Sequence, residues 1–137
     1  MATYLEHNNV TVSDLDFSIE FFTHIFSDWK LRHRAYFDKE RQDFEWAHVG
    51  TEISYLALQS TPYNQTFSRP ISHYFDHYGI IVDNLEDVVS RLKKYPYRIR
   101  IEPEKPSYKK VYAYIFDGII LEILQYKTDN LSLRNKY

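Results

Sequence analysis

The chain repeats itself. His7-Asn8-Asn9-Val10-Thr11-Val12-Ser13-Asp14-Leu15 returns seventy residues later as His77-Tyr78-Gly79-Ile80-Ile81-Val82-Asp83-Asn84-Leu85. Histidine leads both segments, Val12 matches Val82, Leu15 matches Leu85, and the same offset carries Ile19 onto Val89 and Phe22 onto Leu92. A second pair closes each half: Tyr55-Leu56-Ala57-Leu58-Gln59 resembles Leu121-Glu122-Ile123-Leu124-Gln125, aligning Leu56 with Glu122. The offset there is 66, so the first half is expected to carry about four extra residues in its inner turns. A chain built from two like segments must fold each of them as the same supersecondary unit.

Each copy reads as a strand running into a helix. Val10 and Val12 sit at strand spacing, and Ile80 to Val82 is β-branched. Ser13 with Asp16, and Asp83 with Glu86, fit the capping pattern that opens a helix. Leu15, Ile19, Phe22 and Ile25 or Phe26 form one apolar stripe, and Leu85, Val88, Val89 and Leu92 form another. Tyr95-Pro96 ends the second helix. Residues 44–49 and 110–116 read as strands, followed by glycine turns at Gly50 and Asp117-Gly118, and regions 28–38 and 97–102 supply the remaining strand of each half. The expected architecture is α+β, two tandem βαβββ modules. The chain 1–137 is one domain, with module 1 at about 3–60, a linker at 61–72, module 2 at about 73–126 and a polar tail at 127–137 that is a short helix or disordered.

Composition removes several functions. With 17 basic and 19 acidic residues the charges nearly cancel, so neither a nucleic-acid binder nor a membrane-surface protein is expected. The absence of cysteine excludes disulfides, thiolate metal sites and a cysteine nucleophile. No run approaches a membrane span, and Glu6 and His7 stand where a secretory signal would be apolar, so the expected location is the cytoplasm. Thirteen tyrosines and nine phenylalanines suit either an aromatic core or the walls of a pocket and a subunit interface.

The repeat also sets His7 and His77 at matching points of related strands. Glu122 stands inside the apolar run Ile119-Ile120-Leu121-Glu122-Ile123-Leu124, where a carboxylate is costly unless paired or bound to a cation. Two imidazoles and a carboxylate around open positions suit one divalent ion, Fe, Mn, Ni or Zn. For each residue alone the plainer account is a satisfied polar side chain. His73-Tyr74-Phe75-Asp76-His77 would bind zinc on a helix, but Pro70 and the strand-like residues after it leave little room for one. His24 and His33 read as surface residues around the end of the first helix. Lys105, Lys109 and Lys110 read as a solvated loop, or as cations that meet an anionic substrate. Tyr112, on the strand before Glu122, is a candidate to point toward the site.

The chain resembles the vicinal oxygen chelate superfamily of glyoxalase I, fosfomycin-resistance thiol transferases, extradiol dioxygenases and bleomycin-resistance proteins. The resemblance runs over about residues 3–126 and rests on Leu5-Glu6-His7, Ser13-Asp14-Leu15, Ser18-Ile19-Glu20-Phe21-Phe22, Asp76-His77, Asp117-Gly118 and Leu121-Glu122. It implies a U-shaped mixed sheet around a metal held by His7, His77 and Glu122, a small-molecule substrate and a homodimer. Glyoxalase I uses a further glutamate on the closing strand of the first half, where this chain has Leu56, or Tyr55 in a register one residue away. Asn9 replaces the threonine or cysteine of the fosfomycin group, and His48 and His73 are the spare histidines for a dioxygenase acid–base role. The implied function is therefore a metal-dependent enzyme of thiol-transferase or dioxygenase type rather than glyoxalase I, with Asn9, Tyr112 and His48 as the candidate catalytic residues. The alternative is a metal-free protein that sequesters a drug or other small molecule.

Overall fold

A computed structural model describes residues 2–61 and 76–135. The expected linker at 61–72 and the His73–His77 pattern fall, apart from Thr61, Asp76 and His77, outside these residues. The chain divides into two compact units, residues 1–68 and 69–137.

The first unit runs β1 (His7–Val12), α1 (Leu15–Ile25), β2 (Lys30–Tyr36), β3 (Glu45–Gly50) and β4 (Tyr55–Ser60). Its sheet has the order β1-β4-β3-β2, with β1 parallel to β4 and the other pairs antiparallel. The second unit runs β5 (Tyr78–Ile81), α2 (Leu85–Leu92), β6 (Arg98–Ile101), β7 (Tyr108–Tyr114) and β8 (Ile120–Tyr126), ordered β5-β8-β7-β6 in the same senses. A parallel first-to-last pairing needs a long crossover, which the helix and two inner strands supply. The tail carries one short helix, α3 (Leu131–Arg134). No described helix is long and apolar enough to cross a membrane.

Strand alternation sorts each sheet into two faces. In the first unit Val10, Val12, Ala47, Val49, Leu56 and Leu58 are buried with Leu15, Phe21, Phe22 and Ile25 of α1. In the second, Val111, Ala113, Leu121 and Ile123 are buried with Leu85, Val88 and Leu92 of α2. Ion pairs edge these helix-side cores: Arg34 joins Glu45 to Asp16 of α1, and Lys109 meets Glu86 of α2. Ser18 is fully buried on α1, where an apolar stripe alone predicts no hydroxyl; its Oγ donates to the Asp14 carbonyl at 2.6 Å and is satisfied. Ile19 is only half-buried.

The helix starts lie one residue later than the capping patterns predict. Asp14, not Ser13, accepts from Phe17 N–H at 2.9 Å, and Asn84, not Asp83, accepts from Asp87 N–H at 3.1 Å. Both neighbours in each pair are good caps by type. The choice falls to the residue that leaves Leu15 and Leu85 facing the sheet on the first turn. The Gly50 turn also shifts: Gly50 is the last residue of β3, and the turn is Thr51–Ser54, closed by Thr51 N–H on the Ser54 carbonyl at 2.9 Å. At the matching hairpin Asp117 (φ 56°) and Gly118 (φ 69°) both adopt left-handed backbone, as a tight turn requires.

The repeat register is one residue off at the closing strands. Asn9 pairs with Ala57, and Gly79 pairs with Glu122. The antiparallel partners agree, His48 facing Ala57 and Tyr112 facing Glu122. The residue matching Glu122 is therefore Ala57, not Leu56, whose side chain belongs to the helix-side core. The first unit carries five extra residues between these strands rather than four.

Candidate functional site

The site residues lie on the sheet faces turned away from the helices. In the first unit this face carries a row of rings. His7 stacks on Tyr55 with centroids 4.8 Å apart, Tyr55 on His48 at 4.3 Å, His48 against Trp46 at 4.8 Å and Trp46 against His33 at 5.2 Å. The pairings His7–Tyr55, Ala57–His48 and His33–His48 put these side chains in line across four strands. The β2–β3 register breaks between Leu31 and His33, and with that break Arg32 stands over the Tyr55 ring at 4.2 Å.

Glu6 organises His7. Its Oε1 lies 3.0 Å from His7 Nδ1 and accepts from the Tyr55 hydroxyl at 3.1 Å. The bond to His7, then that to Tyr55, holds the Glu6 carboxyl below the usual carboxylate range. A carboxylate on Nδ1 leaves Nε2 as the ring's ligating nitrogen, the arrangement that orients histidines toward metals. Asn9 Nδ2 donates to Gln59 Oε1 at 3.2 Å. Burial lowers the His48 pKa, and the positive charge of Arg32 and the imidazoles of His7 and His33 lower it further. The shift favours the neutral imidazole, the form that accepts a proton. His33 is exposed, as expected, and stands on β2 at the end of the ring row; His24 is half-buried in the last turn of α1.

In the second unit the opposite combination appears, a carboxylate among cations. His77 precedes β5, and its Nε2 lies 2.6 Å from Glu122 Oε2 on β8. Lys110 Nζ donates to Glu122 Oε1 at 3.0 Å and to the Tyr112 hydroxyl at 3.1 Å. Burial alone would depress the Lys110 ammonium; its bonds to Glu122 and Tyr112 outweigh that and hold it above the usual lysine range. Tyr112 is buried, lies edge-on to His77 at 5.7 Å and carries Arg100 over its ring at 4.7 Å. Arg98 covers Tyr114 in the same way at 4.9 Å.

The three lysines expected on a loop separate. Only Lys105 lies in the exposed connection after β6; Lys109 and Lys110 are consecutive residues of β7 and point to opposite faces, Lys109 to α2 and Lys110 to Glu122. The strand starts at Tyr108 rather than at residue 110, which brings Lys109 into it beside Lys110. Sequence reasoning passed over Glu6, Tyr55, Arg32 and Arg100 as site residues. The alternation Arg98-Ile99-Arg100-Ile101 was the available signal for Arg100, since one face of a strand collects every second residue.

The donor types of the second unit, imidazole nitrogen and carboxylate oxygen, are ones that divalent cations accept. An imidazole nitrogen and a carboxylate oxygen converge in the second unit, and a carboxylate-oriented imidazole stands at the matching point of the first. Among the described residues no three histidine, aspartate or glutamate side chains gather into a metal-holding group.

A family model, the Glyoxalase/Bleomycin resistance protein/Dioxygenase superfamily, matches residues 4–122. The chain belongs to this superfamily. Among solved structures it is similar to the trypanothione-dependent glyoxalase I of Leishmania major, with a TM-score of 0.74 at 20% identity over 97% of this chain and 94% of that one. It is also similar to the fosfomycin-resistance protein FosX of Listeria monocytogenes, solved with Mn(II) and sulfate, at TM-score 0.71 and 18% identity over 99% and 100% of the two chains. A glyoxalase/bleomycin resistance protein/dioxygenase domain from Frankia sp. EAN1pec gives 0.73 at 23% identity over 93% and 100%. No curated protein sequence matches the chain. At these identities the solved structures speak for the shared fold.

Proposed function

We propose that the protein is a divalent-metal-dependent enzyme acting on a small oxygen-chelating substrate, of thiol-transferase or dioxygenase type rather than glyoxalase I. His7, His77 and Glu122 are its metal ligands. The observation that carries this reading is the 2.6 Å approach of His77 Nε2 to Glu122 Oε2, a paired nitrogen and oxygen donor beside Lys110 and Tyr112. The ion, Fe, Mn, Ni or Zn, would supply Lewis acidity at substrate oxygens.

The chain's own residues define the rest. Ala57 stands where a first-half glutamate would answer Glu122, so neither a fourth protein ligand nor a proton-moving carboxylate is available there, which speaks against glyoxalase chemistry. The Tyr112 hydroxyl and Lys110 ammonium hold a hydrogen-bonding edge beside Glu122 suited to a substrate anion. His48, whose pKa burial lowers, is the base candidate of the first unit, and Asn9 is held by Gln59 as a hydrogen-bonding side chain beside it on the sheet.

Metal-loaded protein should turn over a thiol with an epoxide, or consume O₂ with a catechol, and lose that activity in His77→Ala; retained turnover in His77→Ala would refute the assignment. A homodimer completes the proposal, and a monomer by light scattering would remove that part. The ring row of the first unit, His7 through His33, favours a second reading, a metal-independent protein that sequesters a flat ligand. Tight aromatic-ligand binding that survives chelation would select it.

A further inference from the structure

Both oxygens of Glu122 are engaged. Oε2 faces His77 at 2.6 Å, and Oε1 accepts from Lys110 at 3.0 Å. Lys110 is itself held in place: its ammonium donates to the Tyr112 hydroxyl at 3.1 Å and lies 5.2 Å from that ring's centroid. The side chains of Lys110 and Glu122 are only 23% and 14% exposed, so water screens their attraction poorly. A metal ligated at Glu122 sits about 2.0–2.2 Å from a carboxylate oxygen. There it would confront an ammonium already bonded to the same group, like charge against like.

We infer that Lys110 is an internal counter-cation of Glu122 that competes with a divalent metal for the charge of that carboxylate, so that this lysine sets the metal affinity of the site. The inference rests on reading Glu122 as a ligand. Lysine and metal then neutralise the same carboxylate, and each weakens the other's hold on it. An ammonium released from Glu122 stays tethered by β7 and the Tyr112 hydroxyl, free to meet an anion.

The neighbouring lysine provides an internal control, because Lys109 points to the other face and pairs with Glu86. Calorimetric titration of metal-free protein with MnCl₂ and ZnCl₂ compares wild type, Lys110→Met, Lys109→Met and Glu122→Gln. Loss of a competing charge-assisted bond should tighten binding on the order of tenfold or more in Lys110→Met. Lys109→Met should bind as wild type does, and Glu122→Gln should lose binding. General damage to the unit weakens metal binding, so a gain is diagnostic of competition. Lys110→Gln, which keeps a neutral hydrogen bond to Glu122, gives the same comparison should the methionine variant misfold. Wild-type binding with equal or weaker affinity in the Lys110 variants overturns the inference and leaves Glu122 a ligand. No binding by wild type or by either Lys110 variant overturns both.

Discussion

Glu122→Gln should destabilise the metal-free protein measurably, and Glu86→Gln should not. The two carboxylates serve consecutive lysines of β7, so the comparison holds the lysine strand and the ion-pair type constant. What differs is burial. The Glu122 side chain is 14% exposed and contacts both Lys110 and His77, while the Glu86 side chain is 70% exposed and pairs with Lys109. Breaking a fully buried pair costs about 3–5 kcal/mol, because one charge is left without its partner. Exposed pairs contribute ~0–1 kcal/mol. Lys110 keeps its Tyr112 bond and is itself 23% exposed, which places Glu122→Gln between these limits, at about 1–3 kcal/mol. The assay is urea unfolding in chelator at pH 7, followed by far-ultraviolet circular dichroism. Tryptophan emission would report on the first unit, which holds both Trp29 and Trp46. Equal midpoints for the two variants, or a larger loss in Glu86→Gln, would refute the claim that the Glu122 network is the tighter one.

Further tests address the scaffold. Asp14→Ala and Asn84→Ala should each cost about 1 kcal/mol in the same unfolding assay, and Ser13→Ala should be near neutral; the reverse order would restore the earlier cap register. Gly50→Ala should lose about 1–3 kcal/mol or more, because a Cβ there meets the Ser54 carbonyl oxygen at 2.4 Å and Tyr55 Cα at 2.5 Å. That substitution also moves Tyr55, the ring on which His7 stacks, so the unfolding midpoint should fall together with metal affinity.

The repeat made the architecture readable from residues alone, because two copies of histidine, strand, helix stripe and closing strand constrain each other. The boundaries slipped wherever two adjacent residues were chemically equivalent for the role. Ser13 and Asp14 both cap; only the need to turn Leu15 toward the sheet selects between them. Leu56 and Ala57 both fit a closing strand, and the choice depends on ladder register, a long-range quantity. Lys110 was visible as a cation, but its burial beside Glu122 depends on β7 starting at Tyr108 and on strand parity, where a one-residue error reverses the face. Glu122 itself was readable, since a carboxylate within an apolar strand demands a partner. The partners it has, His77 and Lys110, differ in that only the first was named from the repeat. Arg32 was out of reach, because a local break in the β2–β3 register, not the alternation pattern, accompanies its place over Tyr55.

The proposed metal site consists of His7, His77 and Glu122. The most direct test is the metal content of protein purified without a histidine tag or added metal, by plasma mass spectrometry, beside His7→Ala. The account predicts close to one equivalent of Fe, Mn, Ni or Zn per chain, lost in the variant. No metal in the wild type, and none taken up on titration, would contradict it and leave a ligand-sequestering protein as the better account.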